Sequence, residues 1–233
     1  MFSETAQWYD ALYSFKDYRR ESEDIINLLK KEHPEAMSLL DVACGTAEHD
    51  RYLSRIYNIN GLDINPEFIN IASQKNPEGQ YFIANMTNFR FSKKYDIILC
   101  LFSSIGYVKT LDNVIKTLRC FKKHLNKGGV VVVEPWFTPD QWNTDGTVHL
   151  FTGETAEGKI CRMNISKRKG SLSIINFHYL VGTSDGVQHI RERHELGLFS
   201  VEEMKKAFKN AGLIVTYDKD GFTGRGIYIA RED

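Results

Sequence analysis

A small-residue turn followed by two polar strand ends is where this chain could do chemistry. In "SLLDVACGTAEHD" (38–50), apolar residues lead into Asp41, and Asp41, Ala43, Gly45 and Ala47 occupy alternate positions through a turn. Gly45 lets the backbone approach a ligand, because a residue without Cβ reaches conformations closed to others. Asp63 comes 18 residues after Gly45 at the end of a second apolar run. A carboxylate there accepts hydrogen bonds from both hydroxyls of a ribose. Asn85 ends a third run, near where an adenine would lie, and Ile64 and Met86 sit beside these two polar ends. Leu101, Phe102 and Ser103 follow a fourth run and would border the same edge. The bland alternative is a tight turn in an α/β protein with an incidental aspartate.

The loop narrows the ligand. No GxxxxGK[ST] stretch is present, which disfavours an ATP phosphate cradle. NAD stays open, although its pyrophosphate needs the glycine-rich approach that Ala43 and Ala47 reduce. S-adenosylmethionine has no phosphate and suits this loop better.

Such residues need a sheet whose strand ends converge. Helical spacing over 17–33 and strand-like runs at 38–43, 59–64, 80–86 and 95–104 alternate with helical segments at 47–56, from Pro66 onward, and at 111–125, before a fifth strand at 130–135. The run at 95–104 is nearly all apolar, as a central parallel strand buried on both faces requires. This alternation predicts a doubly wound, mostly parallel α/β sheet. Between about 147 and 198 the pattern becomes short alternating runs separated by "RKGS" and "TSDG", which predicts an inserted antiparallel sheet. Ser200 with Glu203 opens a helix over 200–211 as a capping box, and "GLIVTYD" and "GIYIARED" close the main sheet. One domain, 1–233, with an antiparallel insertion, accounts for the whole chain.

Composition limits the partners. The chain has 233 residues, with Lys+Arg and Asp+Glu equal at 30 each, a balance that argues against a bulk electrostatic nucleic-acid or membrane binder. Cys44, Cys100, Cys120 and Cys161 are scattered without CxxC spacing, and the histidines have no metal-site spacing, so no metal is expected. No apolar run reaches membrane length, and "MFSETAQWYD" lacks a signal pattern. The expectation is a soluble cytoplasmic protein acting on a small molecule.

"DVACGT", "GLDI" and "YDIILCLFSSIGYV" resemble the class I S-adenosylmethionine-dependent methyltransferases. With "FSSIGY", "GGVVVVEPWF", "FHYLV", "H-x-L-x-LFS" and "GxxGRGIY", nearly the whole chain resembles the N,N-dimethyltransferases of TDP-amino-deoxysugars. That resemblance implies a Rossmann-like fold, S-adenosyl-L-methionine as cofactor, a nucleotide-linked amino sugar as substrate, and a homodimer. The chain departs from the pattern at Ala47, where a glycine is usual, at Asn85, where an aspartate is usual, and in a slightly shorter segment before Lys16. The last departure touches the acceptor side and leaves the sugar open.

Methyl transfer to an amine depends mainly on alignment, because the neutral nitrogen is already a good nucleophile. A strong base is optional, and no triad-like constellation stands out in the sequence. Tyr9, Tyr13 and Tyr18 lie in "WYDALYSFKDY", where a hydroxyl could hold the methionine carboxylate or the amine; packing is the plain alternative. The resemblance favours Tyr9 and Tyr18 as contacts, and makes Tyr107 an orienting group or weak base near the transferred methyl. Glu134 and Trp136 end the fifth strand and could line the acceptor pocket. His178, His189 and His194 could take a proton or meet phosphate, although strand histidines are more often structural. Arg225, between two glycines, is implied by the resemblance to meet the nucleotide diphosphate, with Arg168 adding charge.

Overall fold

The computed structural model describes residues 4–142 and 148–232. The main sheet contains β1 (Ser38–Val42), β2 (Asn58–Asp63), β3 (Gln80–Ile83), β4 (Tyr95–Cys100) and β5 (Leu125–Val133), closed by β10 (Leu213–Asp218) and β11 (Ile227–Glu232). Strands β6 (Val148–Thr155), β7 (Gly158–Lys169), β8 (Leu172–Thr183) and β9 (Gly186–Gly197) form a second, antiparallel sheet. The helices are α1 (Tyr9–Leu12), α2 (Tyr18–Glu32), α3 (Asp50–Leu53), α4 (Pro66–Lys75), α5 (Leu111–Lys123) and α6 (Val201–Asn210).

The main sheet runs β10-β11-β5-β4-β1-β2-β3, with β11 antiparallel to β5 and to β10. The chain winds outward in one direction from β1 and in the other from β4. Their carboxyl ends therefore flank the switch point where open α/β sheets bind ligands.

Both faces of the sheet are packed. Ile98 and Cys100 of β4 join Val114, Leu118, Phe121 and Phe208 on one face, while Ile97 and Leu99 join Ile25, Leu29 and Leu53 on the other. The continuous apolar run of β4 follows from this two-sided burial. At the opposite end from the crevice, Asp96 staples three strands: it accepts from the Ser38 N–H and hydroxyl at 3.0 and 2.8 Å and from the Asn126 amide at 2.7 Å. A third apolar cluster joins the sheets, with Trp8 and Leu12 packed among Ile175, Phe177, Tyr179, Ile190 and Leu196.

Several boundaries differ from the sequence expectation for local reasons. The helix expected over 47–56 shrinks to α3, because Ala47 takes a left-handed backbone (φ 58°). The strand expected to reach Ser104 stops at Cys100, because Phe102 and Ser103 are left-handed (φ 48° and 64°). The third strand ends at Ile83, short of Met86, where Asn85 folds back on Thr87. The fifth strand starts early: Leu125 pairs with Tyr95, and a register shift follows before Ile97 meets Val130. Strand β6 shows little apolar alternation in sequence; it lies on α1, where a Cβ on Gly153 would stand 2.6 Å from the Ala11 carbonyl carbon. Thr147, at the edge of the expected insertion, and Asp233, at the end of the expected last strand, lie outside the described residues. Among the described residues no helix is long and apolar enough to cross a membrane, and no cluster of metal-binding side chains occurs.

Candidate active site

A cavity of about 400 Å³ opens at the carboxyl ends of β1 and β4 and is roofed by the antiparallel sheet. Its floor is the turn after β1. Gly45 is left-handed (φ 57°), and a Cβ built there would meet nothing within 4 Å, so it would project into open space. Asp63 fixes this turn. Its Oδ2 accepts the Gly45 N–H at 3.1 Å and its Oδ1 accepts the Asn65 N–H at 2.8 Å. Burial pushes the Asp63 carboxyl above the usual range, although those backbone donors pull the other way.

One side of the cavity is therefore small and polar: Ala43, Gly45, Asp63, Ile64, Asn65, Asn85 and Met86 line it. An adenosyl group with ribose hydroxyls fits this donor set, since Asp63 still has acceptor capacity and no cationic phosphate cradle is present. Asn85 lines the cavity, but its Oδ1 accepts from the Thr87 N–H and hydroxyl, both at 2.9 Å. The carbonyl oxygen with which Asn85 could accept from an adenine amine is thus engaged in its own turn.

The other side is aromatic. Tyr9, Tyr13, Phe102, Tyr107, Trp136 and Phe177 face it, with Arg225 at the rim. The segment bearing Tyr9 and Tyr13 is tied down by Asp10, which accepts from the Thr46 hydroxyl at 2.5 Å and pairs with Lys75 at 2.7 Å. Trp136 donates its indole N–H to the Ser173 hydroxyl at 2.8 Å, joining the end of β5 to the roof.

Glu134 does not line the cavity but organises its wall. Its Oε2 accepts the Phe102 N–H at 2.6 Å; its Oε1 accepts from the Thr223 hydroxyl at 2.5 Å and from Arg225 at 3.2 Å. A left-handed phenylalanine costs on the order of 1–3 kcal/mol, so the surroundings must hold it. Glu134 does so from one side and the Ser103 hydroxyl, donating to the Pro135 carbonyl at 2.7 Å, from the other.

Five other expected contacts lie elsewhere. Asp41 turns under the loop: its buried carboxyl faces that of Asp50, and burial with this like-charged neighbour pushes it up. Burial pushes the Asp50 carboxyl up as well, to about 7, although the hydrogen bond it accepts from Tyr81 pulls the other way. Leu101 is core, packed with Leu99 and Ile97. Tyr18 lies against the His49 ring in a separate cleft with Asp17, Glu48 and Tyr52. Arg168 closes a hairpin by donating to the Gly170 and Pro139 carbonyls at 3.0 and 2.8 Å. His178 is on the outer face, stacked on His189.

Sequence reasoning named His194 only as one of three strand histidines, and missed two residues behind the cavity, Glu192 and Arg162. The Tyr107 hydroxyl lies 2.8 Å from His194 Nδ1, and His194 Nε2 lies 3.1 Å from Glu192 Oε2. Glu192 Oε1 accepts from the Thr5 hydroxyl at 2.9 Å. A triad-like constellation therefore exists, contrary to the sequence expectation. Alternation along β9 carries its signal: Ile190, Glu192, His194 and Leu196 share the inward face. Arg162 is buried among the rings of Tyr13, Phe151 and Phe177 and donates to the Tyr13 hydroxyl at 2.9 Å.

Comparison with known proteins gives the family and the fold. The methyltransferase domain family matches residues 14–217. The chain is 36% identical to dTDP-3-amino-3,6-dideoxy-alpha-D-glucopyranose N,N-dimethyltransferase of Streptomyces fradiae, covering 97% of this chain and 89% of that one. Its structure is similar to DesVI of Streptomyces venezuelae, with TM-score 0.91 and 34% identity over 99% of both chains. It is also similar to CalS10, an amino pentose methyltransferase of Micromonospora echinaspora solved with S-adenosylmethionine bound (TM-score 0.85, 28% identity, 97% and 96% of the chains).

Proposed function

The chain belongs to the S-adenosylmethionine-dependent methyltransferases of the methyltransferase domain family, and from that premise we propose that it N-methylates the amino group of a TDP-amino-deoxysugar, adding two methyl groups in succession. The observation that carries this reading is one continuous cavity with a small polar floor at Asp63 and an aromatic chamber under the inserted sheet. S-adenosylmethionine, when bound, supplies the methyl as an electrophile: the nitrogen lone pair forms the new N–C bond while the C–S pair leaves on sulfur.

The residues of the chain then have distinct tasks. Asp63 and the Gly45 turn hold the adenosyl end, with Ala43, Ile64, Asn85 and Met86 as its walls. The roof and the Tyr9–Tyr13 segment exclude water and align the amine, which supplies much of the acceleration for a good nucleophile. Arg162 donates to the Tyr13 oxygen, which leaves the Tyr13 O–H free to donate to an acceptor atom of the substrates. Trp136 offers an aromatic face to a thymine or sugar ring. Arg225 meets the diphosphate at the rim, with part of its charge already shared with Glu134. The reaction fits a cytoplasmic setting, and sedimentation of the purified chain would test the expected homodimer.

The acceptor class is tested with labelled S-adenosylmethionine and a panel of TDP-3-amino-3,6-dideoxyglucose, its 4-amino counterpart and TDP-glucose. Label is expected only on the amines. Transfer to hydroxyl or carboxylate acceptors with none to amines would contradict it. Arg225→Ala is expected to raise KM for the sugar nucleotide roughly ten- to a hundredfold, the worth of a charge-assisted contact of about 1.5–3 kcal/mol. Lysine should rescue in part, lacking the fork. An unchanged KM would remove Arg225 from the phosphate site.

A further inference from the structure

We propose that Tyr107, His194 and Glu192 form a proton relay that converts the bound acceptor ammonium into the neutral amine. The inference rests on the amine reading above, but its parts stand on geometry. Tyr107 lines the cavity; behind it the chain runs Tyr107 hydroxyl, His194 Nδ1, His194 Nε2, Glu192 Oε2, with spacings of 2.8 and 3.1 Å.

The proton positions follow from what each group can do. A carboxylate only accepts, and Glu192 already accepts from Thr5. Burial would push Glu192 up, but its hydrogen bonds with His194 and Thr5 outweigh this and hold it below the usual carboxylate range. Glu192 is therefore ionised, so the His194 nitrogen facing it carries a hydrogen. Burial lowers the His194 pKa despite Glu192, which keeps the imidazole neutral and leaves Nδ1 an acceptor. The Tyr107 O–H must then point at Nδ1, and its oxygen offers lone pairs to the cavity. This is the order hydroxyl, imidazole, carboxylate of a Ser-His-Asp triad, with a tyrosine in the serine position and the two ring nitrogens exchanged.

Two tyrosines thus face one cavity with opposite polarity. Tyr13, held by Arg162, presents a donor; Tyr107, held by His194, presents an acceptor. An acceptor lone pair suits an ammonium. The substrate nitrogen passes one proton to the Tyr107 oxygen as the original Tyr107 proton moves to His194 Nδ1. Tyr107 ends neutral, the nitrogen regains its lone pair, and the new imidazolium lies against the Glu192 carboxylate. No oxidant or further reactant is needed. A second round requires the same step, because each transfer to a neutral amine leaves the nitrogen protonated; between rounds His194 Nδ1 returns its proton to the Tyr107 oxygen as the O–H proton of Tyr107 passes to solvent in the cavity, which restores the neutral relay. Among the described residues, the other charged or titratable groups facing the relay are Arg162 from β7, Tyr179 from β8, and Tyr9 and Tyr13 from the N-terminal segment; the charge of the chain's amino terminus also acts on His194 and Glu192. Tyr107 itself is pushed well up by burial, so it passes protons without lingering as a phenolate.

His194 and Glu192 act through Tyr107 and are positioning residues, so the test is a pH profile. Single-turnover methylation of TDP-3-amino-3,6-dideoxyglucose is measured with S-adenosylmethionine-loaded protein from about pH 6.5 to about pH 9.5, a span over which amines lose their proton. Tyr107→Phe, His194→Gln and Glu192→Gln are each expected to slow transfer on the order of ten- to a hundredfold at the acid end. The deficit should shrink to about threefold or less at the alkaline end, where solvent has already deprotonated the amine. The Tyr107→Phe/His194→Gln double variant should lose little more than either single one. A deficit constant across pH, or none, would overturn the relay and leave a purely structural clamp. Tyr107→Phe and Glu192→Gln keep the test sound if His194→Gln does not fold. Nitrogen NMR of His194 without acceptor gives an independent reading: Nε2 protonated and Nδ1 bare is expected, and a protonated Nδ1 would overturn the relay. If the wild type methylates no amino sugar, the proposed substrate fails, while this NMR result still judges the proton arrangement.

Discussion

Replacing Glu134 with alanine is expected to cost about 1–3 kcal/mol of stability, the usual loss when a buried donor is left unsatisfied. In a chain of this size that corresponds to a fall in Tm of roughly 2–12 °C. The residue is 4% exposed, and its carboxylate serves three donors from two distant segments: Phe102, Thr223 and Arg225. Alanine leaves the Phe102 N–H unsatisfied and the left-handed turn unsupported, so the aromatic wall should loosen and sugar-nucleotide binding weaken with stability. Glu134→Gln keeps an acceptor for Phe102 and loses only the charge, so its loss should be smaller. Thermal melts and binding isotherms on both variants decide; an alanine variant that melts and binds like the wild type would refute the organising role.

Asp63→Ala is expected to weaken S-adenosylmethionine binding by about 1–3 kcal/mol, roughly ten- to a hundredfold, because two ribose hydroxyls lose a charged acceptor. The same carboxylate holds the Gly45 and Asn65 N–H groups, so the turn also loses its anchor. Asp63→Asn retains one acceptor oxygen and should lie between. Because burial raises this carboxyl, wild-type affinity should fall on acidification sooner than an ordinary aspartate would cause. Calorimetry on folded variants checks this, and wild-type affinity in Asp63→Ala would remove the residue from the ribose site.

The floor of the cavity was legible in the sequence because it depends on local rules. Gly45 and Asp63 sit at strand ends that apolar runs mark, and Pro66 announces α4, which Asn65 caps in the structure by accepting the Glu67 N–H at 3.0 Å. The roof was less legible. Its inward residues are set by strand register, and neither the role of His194 nor that of Arg162 follows from neighbours in the chain. His194 meets Tyr107 from 87 residues away, and Arg162 meets Tyr13 from 149. His178 and His194 look alike as strand histidines, yet even spacing alone does not say which face is inward; the pairing of His178 with Arg191 and Ile175 with His194 does. Asp41 misled for a related reason: its place beside the turn suggested a ligand, whereas strand alternation sends its carboxyl to Asp50. Phe102 gave no sign of its left-handed backbone, which Glu134 enforces from across the sheet edge.

The central claim is that the cavity places a sugar-borne amine for methylation. Its most direct test is product analysis after incubating the purified protein with S-adenosylmethionine and TDP-3-amino-3,6-dideoxyglucose. Mass spectrometry and proton NMR are expected to find methyl groups on the sugar nitrogen, a monomethyl species rising first and a dimethyl product following, with one S-adenosylhomocysteine released per methyl added. Bound S-adenosylmethionine with no methyl reaching the nitrogen of this or any other TDP-amino sugar would contradict the account.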